Sequence, residues 1–197
     1  MIIGITGGTG SGKTTLLQVA QSLGFQVLDC DKIYHELLET DPSLTAAIER
    51  RFPGTVKEGK LQRKKLGAVV FADAQALADL NAITHTAVRQ AVEARLQGNT
   101  AIDAIALFES GMDKLCDVTV AVTAPEDQRI KRLMAREGIT EEYAKSRISA
   151  QPADGYYRQR CDQVLENDGD IMQFQGKCLA FFHRLGIMEE NSKEVSL

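Results

Sequence analysis

The sequence has no excess of basic residues, no paired cysteines and no long apolar run. Lys and Arg number 23 against 27 Asp and Glu, a formal net charge of −4, and the charges are scattered. A dedicated nucleic-acid surface shows as a basic excess, so no nucleic-acid partner is expected, although a local basic pocket is compatible with these totals. Cys30, Cys116, Cys161 and Cys178 are far apart and make no CxxC pair. That spacing excludes a disulfide framework or a zinc ribbon and predicts free thiols in a reducing compartment. No apolar stretch approaches the roughly 18 residues that span a bilayer, so no membrane partner is expected. No charged leader precedes the first apolar run, which predicts a cytoplasmic location. Internal repeats and low-complexity linkers are missing too. With 44% apolar and 25% charged residues over 197 positions, the chain reads as one globular domain with a core of its own.

What is present alternates between short apolar runs and helical periodicity. Met1 to Thr6, Phe25 to Leu28, Ala101 to Phe108, Val118 to Val122 and Gln163 to Leu165 read as buried strands. Between them lie helical stretches. Lys13 to Leu23 is stopped by Gly24, and further helices are expected over Asp31 to Leu38, from Asp41 to Arg51, Arg63 to Phe71 and Asp73 to about Gln97. Pro125 to Arg136, a segment opened by Thr140-Glu141-Glu142, and Ile171 to Leu185 complete the set, with a polar tail from Met188 expected to fray. Phe52 to Lys60 reads as a loop or small hairpin. Strands separated by helices predict an α/β fold with a parallel sheet flanked by helices. The expected organisation is a core of about residues 1–30, 100–135 and 160–187. A helical insertion at about 31–98 would lie over the carboxyl edge of the sheet, where open α/β folds bind ligands.

Gly7-Gly8-Thr9-Gly10-Ser11-Gly12-Lys13-Thr14 matches G-x-x-x-x-G-K-[ST] at every fixed position, between a strand and a helix. Backbone N–H groups that converge on phosphate need unusual φ/ψ and no Cβ near the ligand, hence the glycines. The following helix adds its positive end to the same anion. The motif thus predicts ATP-type triphosphate binding by residues 8–15 (Gly8, Thr9, Gly10, Ser11, Gly12, Lys13, Thr14 and Thr15). Lys13 would reach the outer phosphates and the Thr14 hydroxyl would ligate Mg²⁺. The motif alone leaves the reaction open. No N-K-x-D base reader marks a GTPase, and Ala104 to Ser110 is not the acidic strand end of a motor or transporter. A kinase for a small acceptor fits best. Asp29 and Asp31 close the second strand in LDCD. Spacing alone leaves Asp31 two roles: a carboxylate that takes a proton from an attacking hydroxyl, or a cap for the helix beginning near Lys32.

The segments GITGGTGSGKTT, LDCD, LQRKKL with the later VF, NAITH, LFES, RLMAREG through RISAQ, and CDQVLEND follow one another in an order and spacing that resemble the dephospho-CoA kinase family. The resemblance runs from Ile2 to about Leu185. It implies a P-loop kinase that moves phosphate from ATP to the ribose 3′-hydroxyl of dephospho-CoA, with a helical acceptor-binding subdomain and a lid at about 136–158. By the same resemblance Asp31 is the catalytic base. Arg63, Phe71, His85, Leu107 and Glu109 fall on the acceptor side. Arg136 and Arg147 are lid arginines facing the transferring phosphoryl group, and Asn167 lies near the adenine. The bland alternatives are a structural His85, core roles for Phe71 and Phe108, and plain surface for about half of Arg129, Arg132, Arg136, Arg147, Arg158 and Arg160. Thr86, Ile105 and Tyr157 depart from the family pattern, as do Cys30 and Cys161-Asp162, which points to a divergent member. Other readings are a P-loop kinase for a nucleoside, nucleotide or sugar acid, and a nucleotide-binding module without catalysis. A monomer or small homo-oligomer is expected.

Overall fold

The computed structural model describes residues 1–187; the expectation for the tail from Met188 lies outside them. Two compact units are distinguished. One comprises Met1–Val27, Gln97–Leu107 and the chain from Cys116 onward; the other comprises Leu28–Leu96 and Phe108–Leu115.

The first unit is built on parallel strands. β1 (Ile2–Thr6), β5 (Thr100–Asp103), β6 (Val118–Thr123) and β7 (Gln163–Glu166) belong with β2 (Gln26–Asp29) to a five-stranded sheet of order β2-β5-β1-β6-β7. β1 is central, pairing Ile3 with Ala101 on one side and with Val118 on the other. Its near-continuous burial is the pattern of a strand covered on both faces. Helices α1 (Lys13–Ser22) and α9 (Ile171–Arg184) pack together, burying Leu16, Val19 and Ala20 with Phe174, Cys178, Phe181 and Phe182 against Ile3, Ile5, Val120 and Val122. Asp170 and Gln173 form a reciprocal capping box at the start of α9. α6 (Glu126–Glu137) and α7 (Glu141–Ser149) enclose a small cluster of Ile130, Leu133, Ala144 and Ile148. The short α8 (Asp154–Arg160) leads into β7. Asp162, just before that strand, accepts from both the backbone N–H and the hydroxyl of Thr119, at 2.8 and 2.7 Å. These bonds hold its carboxyl below the usual range.

The second unit is helical. It contains α2 (Cys30–Thr40), α3 (Pro42–Arg51), α4 (Arg63–Val70) and the long α5 (Ala74–Glu93), with the hairpin β3 (Val56–Lys57) and β4 (Lys60–Leu61). Its core is Leu44, Ile48, Phe52, Leu66, Val70 and Ala76. The hairpin settles the loop-or-hairpin alternative for Phe52 to Lys60. Asp41 and Asp73 cap α3 and α5 by accepting from Ser43 N and Gln75 N, both at 2.8 Å.

One strand is shorter than expected. β5 stops at Asp103, and Ala104 to Gly111 is a chain of turns leading into a 3₁₀ turn over Met112–Leu115. The ladder ends where its partner does. Ala104 N bonds Ile5 O at 3.1 Å, and Thr6 gives its hydroxyl to Ile105 O at 3.1 Å. Beyond Thr6, β1 becomes the glycine loop, and β2 gives way to α2 after Asp29, so the strand ladder on both sides of β5 stops before Ile105 to Phe108.

Candidate active site

The glycine loop joins β1 to α1 and is gripped by side chains from later in the chain. Arg129 Nε donates to Thr9 O at 2.9 Å. Arg132 Nη1 reaches Gly10 O and Ser11 O, each at 3.3 Å. Asn167 Nδ2 donates to Ser11 O at 2.8 Å, and Asn167 Oδ1 accepts from Arg132 at 3.1 Å. In a planar trans peptide the carbonyl and the next N–H point in opposite directions. Holding the carbonyls of residues 9, 10 and 11 therefore turns the amides of Gly10, Ser11 and Gly12 the other way. Ser11 N makes a bond of 3.3 Å to Gly8 O within the loop.

Gly12 shows why this loop needs glycine. Its φ is +109°, and a Cβ there would sit 2.2 Å from Asn167 Nδ2. An L side chain would meet backbone strain and a buried neighbour together. Asn167 is itself fixed, buried at 5% exposure, with its N–H donating to Thr123 O at 2.8 Å.

Lys13 opens α1. Its ammonium donates to Gly7 O at 2.8 Å and Gly8 O at 3.4 Å, so its charge is stationed at the loop's mouth. Thr14 follows and is exposed on the first turn, whereas Thr15 is buried. Thr9 N donates to Gln151 Oε1 at 2.7 Å. The loop residues, Lys13, Thr14, Thr15 and Asn167 thus form one constellation in the first unit. Arg129, Arg132 and Gln151 belong to it as well and were missed as site residues by sequence reasoning. Both arginines belong to the six of which about half are expected to be plain surface. Three-residue spacing, which puts two arginines on one helix face, was the available signal.

Arg136 lies in the last turn of α6 and is exposed; Arg147 lies on α7 and is half-buried. Both guanidiniums pair with the carboxylate of Glu137. Arg136 first, and Arg147 with it, hold the Glu137 carboxyl below its usual range. A cavity of about 570 Å³ borders this region, walled by Thr123, Arg129, Gln151, Asp154, Arg158 and Glu166 among others.

The residues expected on the acceptor side are spread over several places. Asp31 is exposed in the first turn of α2, and the cap of that helix is Asp29, whose carboxylate accepts from Lys32 N at 3.0 Å. Capping is therefore not the job of Asp31. Arg63 starts α4, with Nη2 3.2 Å from His35 Nδ1. Phe71 is 84% exposed. His85 and Glu109 come together on a cavity of about 660 Å³ that Asn81 and Arg89 also line. Burial pushes the His85 pKa down, while Glu109 opposes this through its backbone and its charge. Arg63 lines a different cavity, of about 560 Å³, beside the β3–β4 hairpin. Leu107 is fully buried in the first unit and packs near Gly4.

The family model described as dephospho-CoA kinase matches residues 1–173. The chain belongs to the dephospho-CoA kinase family. A dephospho-CoA kinase of Corynebacterium diphtheriae is 38% identical over 183 residues, covering 87% of this chain and 92% of its own. Among solved structures, a Thermus thermophilus protein superposes with a TM-score of 0.77 at 34% identity, covering 94% of this chain and 97% of that one. The dephospho-CoA kinase of Campylobacter jejuni gives 0.67 at 26% identity, over 95% and 98%. The family match spans the glycine loop, Asp31, and the arginines of α6 and α7. Membership therefore makes the chain a kinase on the P-loop fold, with ATP as its donor.

Proposed function

We propose that the chain transfers the terminal phosphoryl group of ATP to the ribose 3′-hydroxyl of dephospho-CoA, which gives CoA and ADP in the last step of CoA synthesis. The observation that carries this is the glycine loop with its carbonyls held by Arg129, Arg132 and Asn167, in a chain of this family. Oriented amides, the α1 N-terminus and Lys13 form a fixed positive cradle for the β- and γ-phosphates. Fixed dipoles need no reorganisation as charge develops on the transferring group.

In this reading the acceptor hydroxyl attacks the γ-phosphorus, the bond to the β-bridging oxygen breaks, and ADP leaves. The hydroxyl proton goes to Asp31, whose carboxylate is exposed and not spent on capping α2. Arg136 and Arg147 would exchange Glu137 for phosphate oxygens, and the lid segment at about 136–158 would exclude water that otherwise hydrolyses ATP. Residues 31–98 would receive the acceptor, using Arg63, Phe71 and His85, and Glu109 and Leu107 complete the acceptor-side assignment. Among the described residues no cluster of three or more His, Cys, Asp or Glu could hold a metal by itself. The exposed Thr14 hydroxyl beside Lys13 fits Mg²⁺, which takes few protein ligands and completes its shell with phosphate and water. That ion would supply charge neutralisation across the phosphates.

No described helix is long and apolar enough to cross a membrane, in keeping with a cytoplasmic enzyme of small-molecule substrates, as a monomer or small homo-oligomer. ADP release should be measured with dephospho-CoA, nucleosides, nucleoside monophosphates and gluconate, and the product analysed by fragmentation mass spectrometry. Turnover restricted to dephospho-CoA, with the new phosphate on the 3′-oxygen, is the expected result. Faster turnover with another acceptor would move the chain to a different small-molecule kinase. ATP binding without turnover on any acceptor would make it a non-catalytic nucleotide-binding module.

A further inference from the structure

Arg129 touches no reacting atom in the chemistry above, yet it occupies an expensive position. It is 5% exposed, and a buried guanidinium is tolerated only where its donors are used. Nε donates to Thr9 O at 2.9 Å, and Nη1 lies 3.5 Å from Asp154 Oδ1. Nη2 is buried with no hydrogen-bond partner among the described residues. That nitrogen lies against Gly8, where a Cβ would sit 2.2 Å from Nη2 and 2.8 Å from Cζ. Gly8 is not among the glycines of positive φ, so its backbone does not itself demand glycine. The neighbouring guanidinium does.

We propose that Arg129 is a positioning residue for phosphate binding, acting through the Thr9 carbonyl, and that position 8 is glycine because Arg129 fills the space beside it. The inference rests on the reading of the loop as the ATP phosphate site. Thr9 is held at both ends by side chains from later in the chain, its N–H by Gln151 and its carbonyl by Arg129. The carbonyl bond fixes the plane of the Thr9–Gly10 peptide and with it the direction of the Gly10 N–H. A charge-assisted bond from a rigid planar donor suits that task better than a neutral one. Asp154 keeps the guanidinium turned toward Thr9. A side chain at position 8 would push the guanidinium off its carbonyl and loosen the loop without touching phosphate.

The test compares Arg129→Met, Arg129→Lys, Gly8→Ala and the double variant Gly8→Ala/Arg129→Lys by calorimetric ATP titration and by steady-state kinetics. Arg129→Met and Gly8→Ala should each weaken ATP binding on the order of tenfold, the scale of one charged hydrogen bond. KM for ATP should rise while KM for the acceptor stays unchanged; a smaller folded fraction would instead lower kcat and leave KM alone. Arg129→Lys keeps a charged donor for Thr9 O and leaves no planar nitrogen beside Gly8. It should therefore retain affinity and restore most of what Gly8→Ala loses, and it guards against a Met variant that fails to fold. Wild-type affinity in Arg129→Met, or an equal Gly8→Ala penalty with Arg and with Lys at position 129, overturns the inference while ATP binding by the wild type stands. A wild-type chain that binds no ATP overturns the loop reading and this inference together.

Discussion

The glycine loop and the helical unit solve opposite problems. In the first unit, Thr9, Gly10 and Ser11 have their carbonyls tied to Arg129, Arg132 and Asn167, two of which are buried. In the helical unit, the residues assigned to the acceptor sit at exposed or half-buried positions. Asp31 is exposed, Phe71 is 84% exposed, and His85 and Arg63 line separate cavities. A triphosphate presents the same charges on every turnover, so a site for it is built once and held by internal bonds. Asp31, Arg63, Phe71, His85 and Glu109, expected on the acceptor side, lie at exposed or half-buried positions, where a substitution disturbs little packing. Substitutions in the loop should therefore disturb folding and ATP affinity together, and substitutions in the helical unit should separate turnover from stability.

The largest expected effect is at Asp31. Asp31→Asn should lower kcat by about 10² to 10⁴, the usual contribution of a positioned base. Its melting temperature and ATP affinity should match the wild type, because Asp29 and not Asp31 caps α2. Steady-state rates beside ATP titration separate the two quantities. Near-normal turnover would remove Asp31 from the reaction.

Gly12→Ala comes next and makes the opposite claim for the loop. A residue with a side chain at φ +109°, 2.2 Å from Asn167 Nδ2, should cost about 1–3 kcal/mol. Part should appear in denaturant unfolding and part as weaker ATP binding. A change in ATP affinity alone would mean that the loop is organised by its ligand and not by Asn167.

Asp29→Ala tests the helical unit with a smaller effect. Losing the cap on Lys32 N should cost about 0.5–2 kcal/mol of stability. ATP affinity should be unchanged and kcat reduced far less than in Asp31→Asn. The two aspartates of one triplet would then report separately on folding and on chemistry. Equal losses of kcat would mean that capping positions Asp31.

The same contrast decides what the sequence could reveal. The loop was legible because its demands are local: glycines, Lys13 and Thr14 are adjacent, and a strand and a helix flank them. The alternation of apolar runs and helical periodicity likewise disclosed the parallel sheet. Arg129, Arg132 and Gln151 were not legible as loop partners: three-residue spacing marks the two arginines as one helix face, but contacts across more than 100 residues leave nothing to say what that face touches. The end of β5 at Asp103 was hidden for a related reason. Ile105 to Phe108 is apolar enough for a strand, and it is the ends of both neighbours of β5, β1 at Thr6 and β2 at Asp29, that stop the ladder before it. The triplet LDCD divides between the two cases. Its spacing left Asp31 as either base or cap, and the bond from Lys32 N to Asp29 gives the cap to Asp29 instead.

The smallest effect concerns the pH dependence of the helical unit. Burial lowers the His85 pKa from its ordinary value, and the Glu109 backbone and charge offset only part of that. The unfolded chain takes up this proton near pH 6.5, and the folded chain takes it up only at lower pH. Below about 6.5 the unfolded state therefore binds more protons, so stability falls as pH drops through the window down to the folded pKa. Below that value the loss is complete and constant. Urea unfolding of the wild type should show this slope between about pH 7 and pH 5.5, ahead of most carboxylate titration. His85→Gln should flatten it while keeping a polar group at the cavity wall. An unchanged slope in the variant would place the sensitivity elsewhere and leave His85 as a residue for the acceptor alone.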